Sequence, residues 1–221
     1  MNKLTHHFLK DKQRKERSTH HPNLALRVHR ALSWLKKAEE CEDIDGRFIF
    51  LWISFNAAYA QELGKQAPTP TKQVFREFLD KLLGLDEKNL LYELVWSEFP
   101  SSIKMLLANK FVFQPYWDFE NDIIQEIIWQ DSFNKAKTIA NKALGIHDTL
   151  TVIGLVLDRL YTLRNQLIHG GATWNSKINR RQLTDGTNFL KKLVPVIILL
   201  MLENCDGIWG EPCYPVTEGS S

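Results

Sequence analysis

The sequence predicts an all-α protein, an up-and-down helical bundle with a helical insertion near residues 65–117. Three observations carry that expectation. Apolar residues recur at three- and four-residue spacing through every long segment, which places them on one face of a helix. The most apolar segment, residues 47–63, is too long for an ordinary strand. No segment reads convincingly as a strand, and the chain has neither an internal repeat nor a low-complexity tract.

The bulk properties fit one globular domain. With 221 residues, 44% hydrophobic, 24% charged and 11% aromatic, the chain can bury a core without disulfide support. Cys41, Cys205 and Cys213 are an odd count without CxxC spacing, so neither a disulfide framework nor a zinc site is expected, and the setting read from them is cytoplasmic. Residues 193–202 form the one long apolar run and contain Pro195, whereas a membrane span needs about 20 such residues. No membrane segment is expected, and the Lys- and His-rich start lacks the apolar stretch of a signal peptide.

Taken in chain order, residues 1–21 read as a basic arm. The first 30 residues carry a net +6 and leave −4 for the rest. Such an arm either attracts a polyanion such as RNA or is a solvated charged terminus. His6, His7, His20, His21 and His29 lie in it, but histidines in a loose tail are read as polar surface and no metal is expected. The folded domain, residues 22–205, opens at Pro22, which suits a helix's first turn, with Leu24, Leu26, Val28, Ala31, Leu32 and Leu35 on one face. Residues 47–63 follow as the central helix, apolar on most sides. Residues 64–70 read as a linker. Residues 71–83 form a helix closed by Gly84, and residues 86–99 another that stops before Pro100. Asp118 is expected to cap a long helix reaching Gly145, and Asp148 or Thr149 to cap the next, which ends at His169 before Gly170 and Gly171. The last helix covers about residues 184–205 and is expected to kink at Pro195. Residues 206–221 read as a tail.

Outside the arm the chain has only two histidines, His147 and His169, and histidine is the side chain suited to proton transfer near neutrality. His169 closes a helix in Arg164-Asn165-Gln166-Leu167-Ile168-His169. Asn165 and His169 are i and i+4, so the amide is placed to orient the imidazole or touch a phosphate. Arg164 can reach across with a planar fork for the same anion. Metal-free RNA cleavage needs an acceptor for the 2′-hydroxyl proton, a cation for the charge growing on phosphorus, and a proton for the leaving 5′-oxygen. One Arg and one His supply part of that set, and two copies across a two-fold axis supply the whole. The bare Arg-x4-His spacing is weak evidence, because chance gives roughly 0.3 matches in a chain of this composition.

Context adds a resemblance. Residues 160–171, Leu-Tyr-Thr-Leu-Arg-Asn-Gln-Leu-Ile-His-Gly-Gly, resemble the Arg-polar-x-x-x-His signature of HEPN ribonucleases, and residues 48–59, Phe-Ile-Phe-Leu-Trp-Ile-Ser-Phe-Asn-Ala-Ala-Tyr, resemble the early core helix of a bacterial HEPN branch that includes Apea-like members. The resemblance implies a bundle of HEPN type and a homodimeric endoribonuclease with its motifs facing each other, in toxin, phage-defence or RNA-processing roles. It makes Arg164 and His169 the catalytic pair with Asn165 in support, and implies no cofactor or metal. Expected partners are RNA, a second copy and a cognate antitoxin or regulator. The family also holds members that only bind, and in that reading the motif is a recognition groove. Asn56 is either a buried amide satisfied by the bundle or a partner of the site, and Arg47 either lines the substrate groove or is a solvated residue at a helix start. The plain alternative makes Arg164 a surface ion-pair partner of Asp158 or Glu203 and His169 a cap for carbonyls. Trp96, Phe99, Phe111, Phe113, Tyr116 and Trp117 are read as core rather than as base-stacking surfaces.

Overall fold

The computed structural model describes residues 4–60, 71–177, 179–206 and 209–213, with the side chains of 71–74 left aside. It is all-α: ten α-helices and no β-strand among the described residues. The segment expected as a linker, 64–70, lies outside them. None of the helices is long and apolar enough to cross a membrane.

The first helix corrects the reading of residues 1–21 as an arm. Helix α1, His6–Glu16, is capped by the Thr5 hydroxyl, and it buries Leu9 and Gln13 against α2, Pro22–Glu40, and α10, Arg180–Glu203. With so few deeply buried apolar side chains, its periodicity is too faint to stand out against the surrounding charge. His20, which follows α1, is only 9% exposed, and neither ring nitrogen has a partner among the described residues. Burial lowers the pKa of His20, and likewise that of His6, from the ordinary 6.5. Their folded-state values lie below the unfolded ones, so the stability they allow is present above pH 6.5 and is lost as pH falls through the depressed values. Urea denaturation at pH 7.5 and at pH 5 should therefore show a drop in wild type that His20→Gln reduces.

Helix α3, Ile44–Tyr59, is the central element expected from the sequence. The Asp43 carboxylate accepts the Gly46 N–H at 2.7 Å, so Asp45 and Gly46 fall inside the helix rather than before it. Phe48, Leu51, Trp52 and Phe55 are buried, and α3 packs along α2 and α10. Helix α4, Thr71–Leu85, runs through Gly84. Asp86 then accepts the N–H groups of Leu90 and Leu91 and starts the short α5, Leu90–Glu93, which continues as a wider turn through Leu94–Glu98. Pro100 opens α6, Pro100–Leu107.

Asp118 is not a cap. It lies inside α7, Gln114–Glu120, where it accepts the Gln114 side-chain amide. The backbone then turns at Asp122, φ 57°, and α8 runs over Glu126–Gly145. The isoleucine periodicity continues across that break and hides it. Nor do those isoleucines enter the core: Ile123 and Ile127 are 69% and 57% exposed, and α8 buries only Ala140 and Ala143.

Helix α9, Thr149–Ile168, is capped by the Asp148 carboxylate on the Thr151 N–H and packs against α3, α4, α6 and α8. Helix α10 begins four residues earlier than expected and carries the buried Pro195 within it. After α10, the part of the expected tail that is described folds back onto the bundle. Trp209 is buried beneath the Lys81 ammonium, 4.2 Å from its ring centre, and Arg27 and Arg30 hold carbonyls of residues 210–213.

Candidate active site at the end of helix α9

Helix α9 ends in two hydrogen bonds of the Schellman type. The Gly171 N–H reaches the Gln166 carbonyl at 2.8 Å and the Gly170 N–H reaches that of Leu167 at 3.3 Å. Gly170 adopts φ +71°, a left-handed conformation that side chains with a Cβ resist. Gly170→Ala is accordingly expected to lower stability by about 1 kcal/mol, read as a lower midpoint in chemical denaturation. The loop that follows is tied down at both sides. Gln166 donates to the Phe111 carbonyl and accepts from the Asn179 amide. Trp174 donates to Asp43, and Arg180 pairs with the buried Asp45 at 2.8 Å. These contacts join the motif's exit to the first turns of α3 and α10.

Of the predicted residues, His169 sits as the C-cap, exposed, with its N–H on the Asn165 carbonyl at 3.0 Å. Its imidazole has no hydrogen-bond partner among the described residues. Asn165 does not orient it: the amide oxygen instead accepts Arg164 Nη1 at 3.0 Å. The i, i+4 relation is thus made by backbone, and the amide serves the arginine. Arg164 is half-buried, and its Nε is buried without a partner among the described residues. The ion pair to Glu203 is not formed, because Glu203 takes Lys88 at 2.6 Å.

The Arg164 cation lies near Tyr59 of α3. Burial raises the Tyr59 phenol well above its ordinary range, Tyr161 adds to that, and the arginine opposes it. Tyr161 in turn sits 6.1 Å from the Trp52 ring. Trp52, Asn56 and Tyr59 are spaced i, i+4, i+7, hence share the face of α3 turned toward α9. Asn56 is therefore on the Arg164 side of the central helix, and its Oδ1 is buried without a partner among the described residues. The bundle does not satisfy that oxygen. Among the described residues α3 thus carries an unpaired acceptor at Asn56 and α9 an unpaired donor at Arg164.

Arg47 is not brought to this place. Its Nε and Nη2 donate to the Cys41 carbonyl, and its side chain lines a separate cavity of about 380 Å³ with Leu4 and Thr5 ahead of α1 and with residues of α2, α5 and α10 but none of α9. The residue lies three positions into α3 and nine before Asn56, a spacing that puts the two on opposite faces of the helix. Tyr59 and Tyr161 were not singled out by the sequence reading. The usable signal was spacing, since Tyr161 is i−3 from Arg164 and Tyr59 is i+3 from Asn56. Arg159 was missed as well: it is buried, its guanidinium lies 4.3 Å from the Phe113 ring centre, and burial lowers its pKa.

Chemically, this helix end carries a half-buried guanidinium whose Nη1 is held by Asn165 and, five residues further on, an exposed imidazole, a cation and a proton carrier of the kinds that act on an anionic ester. Among the described residues no group of three His, Cys, Asp or Glu side chains is arranged to hold a metal ion. No family model, curated protein or solved structure matches the chain.

Proposed function

We propose that the chain is an HEPN-type endoribonuclease that cleaves RNA without metal as a homodimer, in a toxin or phage-defence setting. The observation that supports it most is the exposed His169 imidazole, without a partner among the described residues, at a well-defined helix end that also carries Arg164. In the reaction the 2′-oxygen attacks phosphorus and the bond to the 5′-oxygen breaks. One His169 accepts the 2′-hydroxyl proton, the His169 of the second copy protonates the leaving oxygen, and the arginines hold the charge on the phosphoryl oxygens. The products are a 2′,3′-cyclic phosphate and a 5′-hydroxyl. Ile168 within the motif and Trp174 beyond it, 47% and 74% exposed, supply apolar surface for a two-fold contact. The test is incubation of purified protein with mixed RNA in EDTA, with end-group analysis and sedimentation. Cyclic-phosphate ends from a dimer support the proposal, and uncut RNA in every condition counts against it.

A second reading is favoured by the Arg164–Asn165 hydrogen bond, which leaves the imidazole unoriented. In it the groove binds a nucleotide, nucleic acid or protein such as a cognate antitoxin, and His169→Ala shifts a binding constant without removing an activity.

A further inference from the structure

At the opposite end of α9 lies an open groove of about 640 Å³ between α6 and α8. Lys104, Lys137 and His147 line it together with Trp96 and Asn141, and no Asp or Glu is among the described residues of its wall. Neither lysine pairs with a carboxylate among the described residues. Two acids close to it in sequence are engaged elsewhere: Asp148 caps α9 through the Thr151 N–H, and Glu93 accepts from the Ser97 hydroxyl. The charged side chains of the wall are thus both lysines, set among apolar residues and the Trp96 and His147 rings.

That aromatic surface is fixed in advance. His147 stacks on Trp96 with ring centres 4.4 Å apart and planes 17° from parallel. The Tyr92 hydroxyl meets His147 Nδ1 at 3.0 Å, and Trp96 Nε1 donates to the Thr149 hydroxyl at 2.9 Å. His147 is exposed and adopts φ +55°, a conformation uncommon for a residue with a Cβ. A turn alone is better served by Gly or Asn there. An imidazole at that place adds a flat ring facing solvent between two lysines.

We propose that this groove is a second ligand site that takes a nucleoside phosphate, its phosphate held by Lys104 and Lys137 and its base laid on the His147–Trp96 stack. Lysine ammonium groups suit a phosphate as point charges, and a preorganised ring accepts any base face. The ligand is either a free nucleotide or one nucleotide of a strand. The 20 residues of α9 separate the groove from His169 by about 30 Å, so the two places are distinct. The inference does not depend on RNA cleavage at His169.

Calorimetric titration of the full chain with AMP, inorganic phosphate, adenosine and a ten-nucleotide oligoadenylate tests it. AMP is expected to bind at least about tenfold more tightly than phosphate or adenosine alone, because each lacks one half of the contact. Lys104→Gln with Lys137→Gln should weaken AMP about tenfold or more. His147→Asn, which retains a residue tolerant of positive φ, should weaken it about fivefold or more. Arg164→Ala with His169→Ala should leave it unchanged. Oligoadenylate binding tighter than AMP assigns the groove to a strand, and equal binding assigns it to a free nucleotide. The proposal is overturned if AMP does not bind at millimolar concentration, if phosphate alone binds as well, if neither groove variant weakens AMP, or if the motif variant abolishes the binding instead.

Discussion

His169→Ala is expected to slow RNA cleavage by at least about a hundredfold while leaving the melting temperature close to that of wild type. The imidazole is exposed and makes no hydrogen bond among the described residues, so its removal takes away the proton carrier and little packing. Arg164→Ala should cost a similar factor by removing the cation for the phosphoryl charge. Because its guanidinium also occupies the Asn165 amide, this variant should show a small stability loss as well. Arg164→Lys keeps the charge without the fork and should fall between wild type and alanine. Mixing the two alanine variants asks how a two-fold site is built. In the two-fold site both histidines act, so the mixed dimer, which keeps one arginine and one histidine, should stay inactive, and recovery of activity on mixing would show instead that a single pair drawn from different copies suffices. Cleavage at wild-type rate by His169→Ala, with the same ends, would refute the assignment.

Arg27→Ala is expected to destabilise the fold by about 3 kcal/mol, which corresponds to a fall of roughly 6–12 °C in melting temperature for a chain of this size. The side chain is 1% exposed in the middle of the apolar face of α2. It donates to the Ala58 carbonyl at 2.9 Å, to Glu211 at 2.9 Å and to Gly210 at 3.3 Å. One guanidinium thus joins α2, the end of α3 and the returning C-terminal segment. Burial lowers its pKa to about 10, still well above neutrality, so the cation persists and its bonds to three carbonyls are charge-assisted. Arg27→Lys should recover only part of the loss, since a single ammonium cannot meet carbonyls on both sides of a planar fork. Removing residues 209–221 as well separates the causes. If the arginine acts through the returning segment, the double variant loses clearly less than the two single losses added together, and strict additivity would show that the Ala58 bond alone matters.

Much of this was written in local sequence. Helices α2, α3 and α9 could be read from apolar spacing and from the residues at their ends, because helix formation and capping depend on neighbours within four residues. Pro22, Asp86, Asp148 and Gly170 each do locally what their side chains suggest. The place of Arg164, Asn165 and His169 at the end of a helix followed from the same rules. Where those rules were silent, the reading failed. Helix α1 has too few buried apolar residues to announce itself, and the isoleucines of residues 123–139 repeat across a backbone break at Asp122 that periodicity cannot register.

Other features were decided only by how the helices lie against one another. Arg47 and Asn56, nine positions apart, fall on opposite faces of α3 by helical geometry alone, but that the Arg47 face meets a cavity by α10 was decided by packing. Asn165 was free to serve either neighbour, and the burial of Arg164 beside Tyr59 accompanies its bond to the arginine. Arg27, counted in the sequence only as one of the basic residues of positions 1–30, is buried where the C-terminal segment comes back over it. The sequence by itself determined the all-α class, the ends of several helices and the presence of an Arg-Asn-x-x-x-His run at one of them, since each is set by interactions within a turn or two. Tertiary structure alone decided which polar atoms are paired, which are buried without partners and which residues share a groove, because those depend on contacts between segments far apart in the chain and no local spacing encodes them.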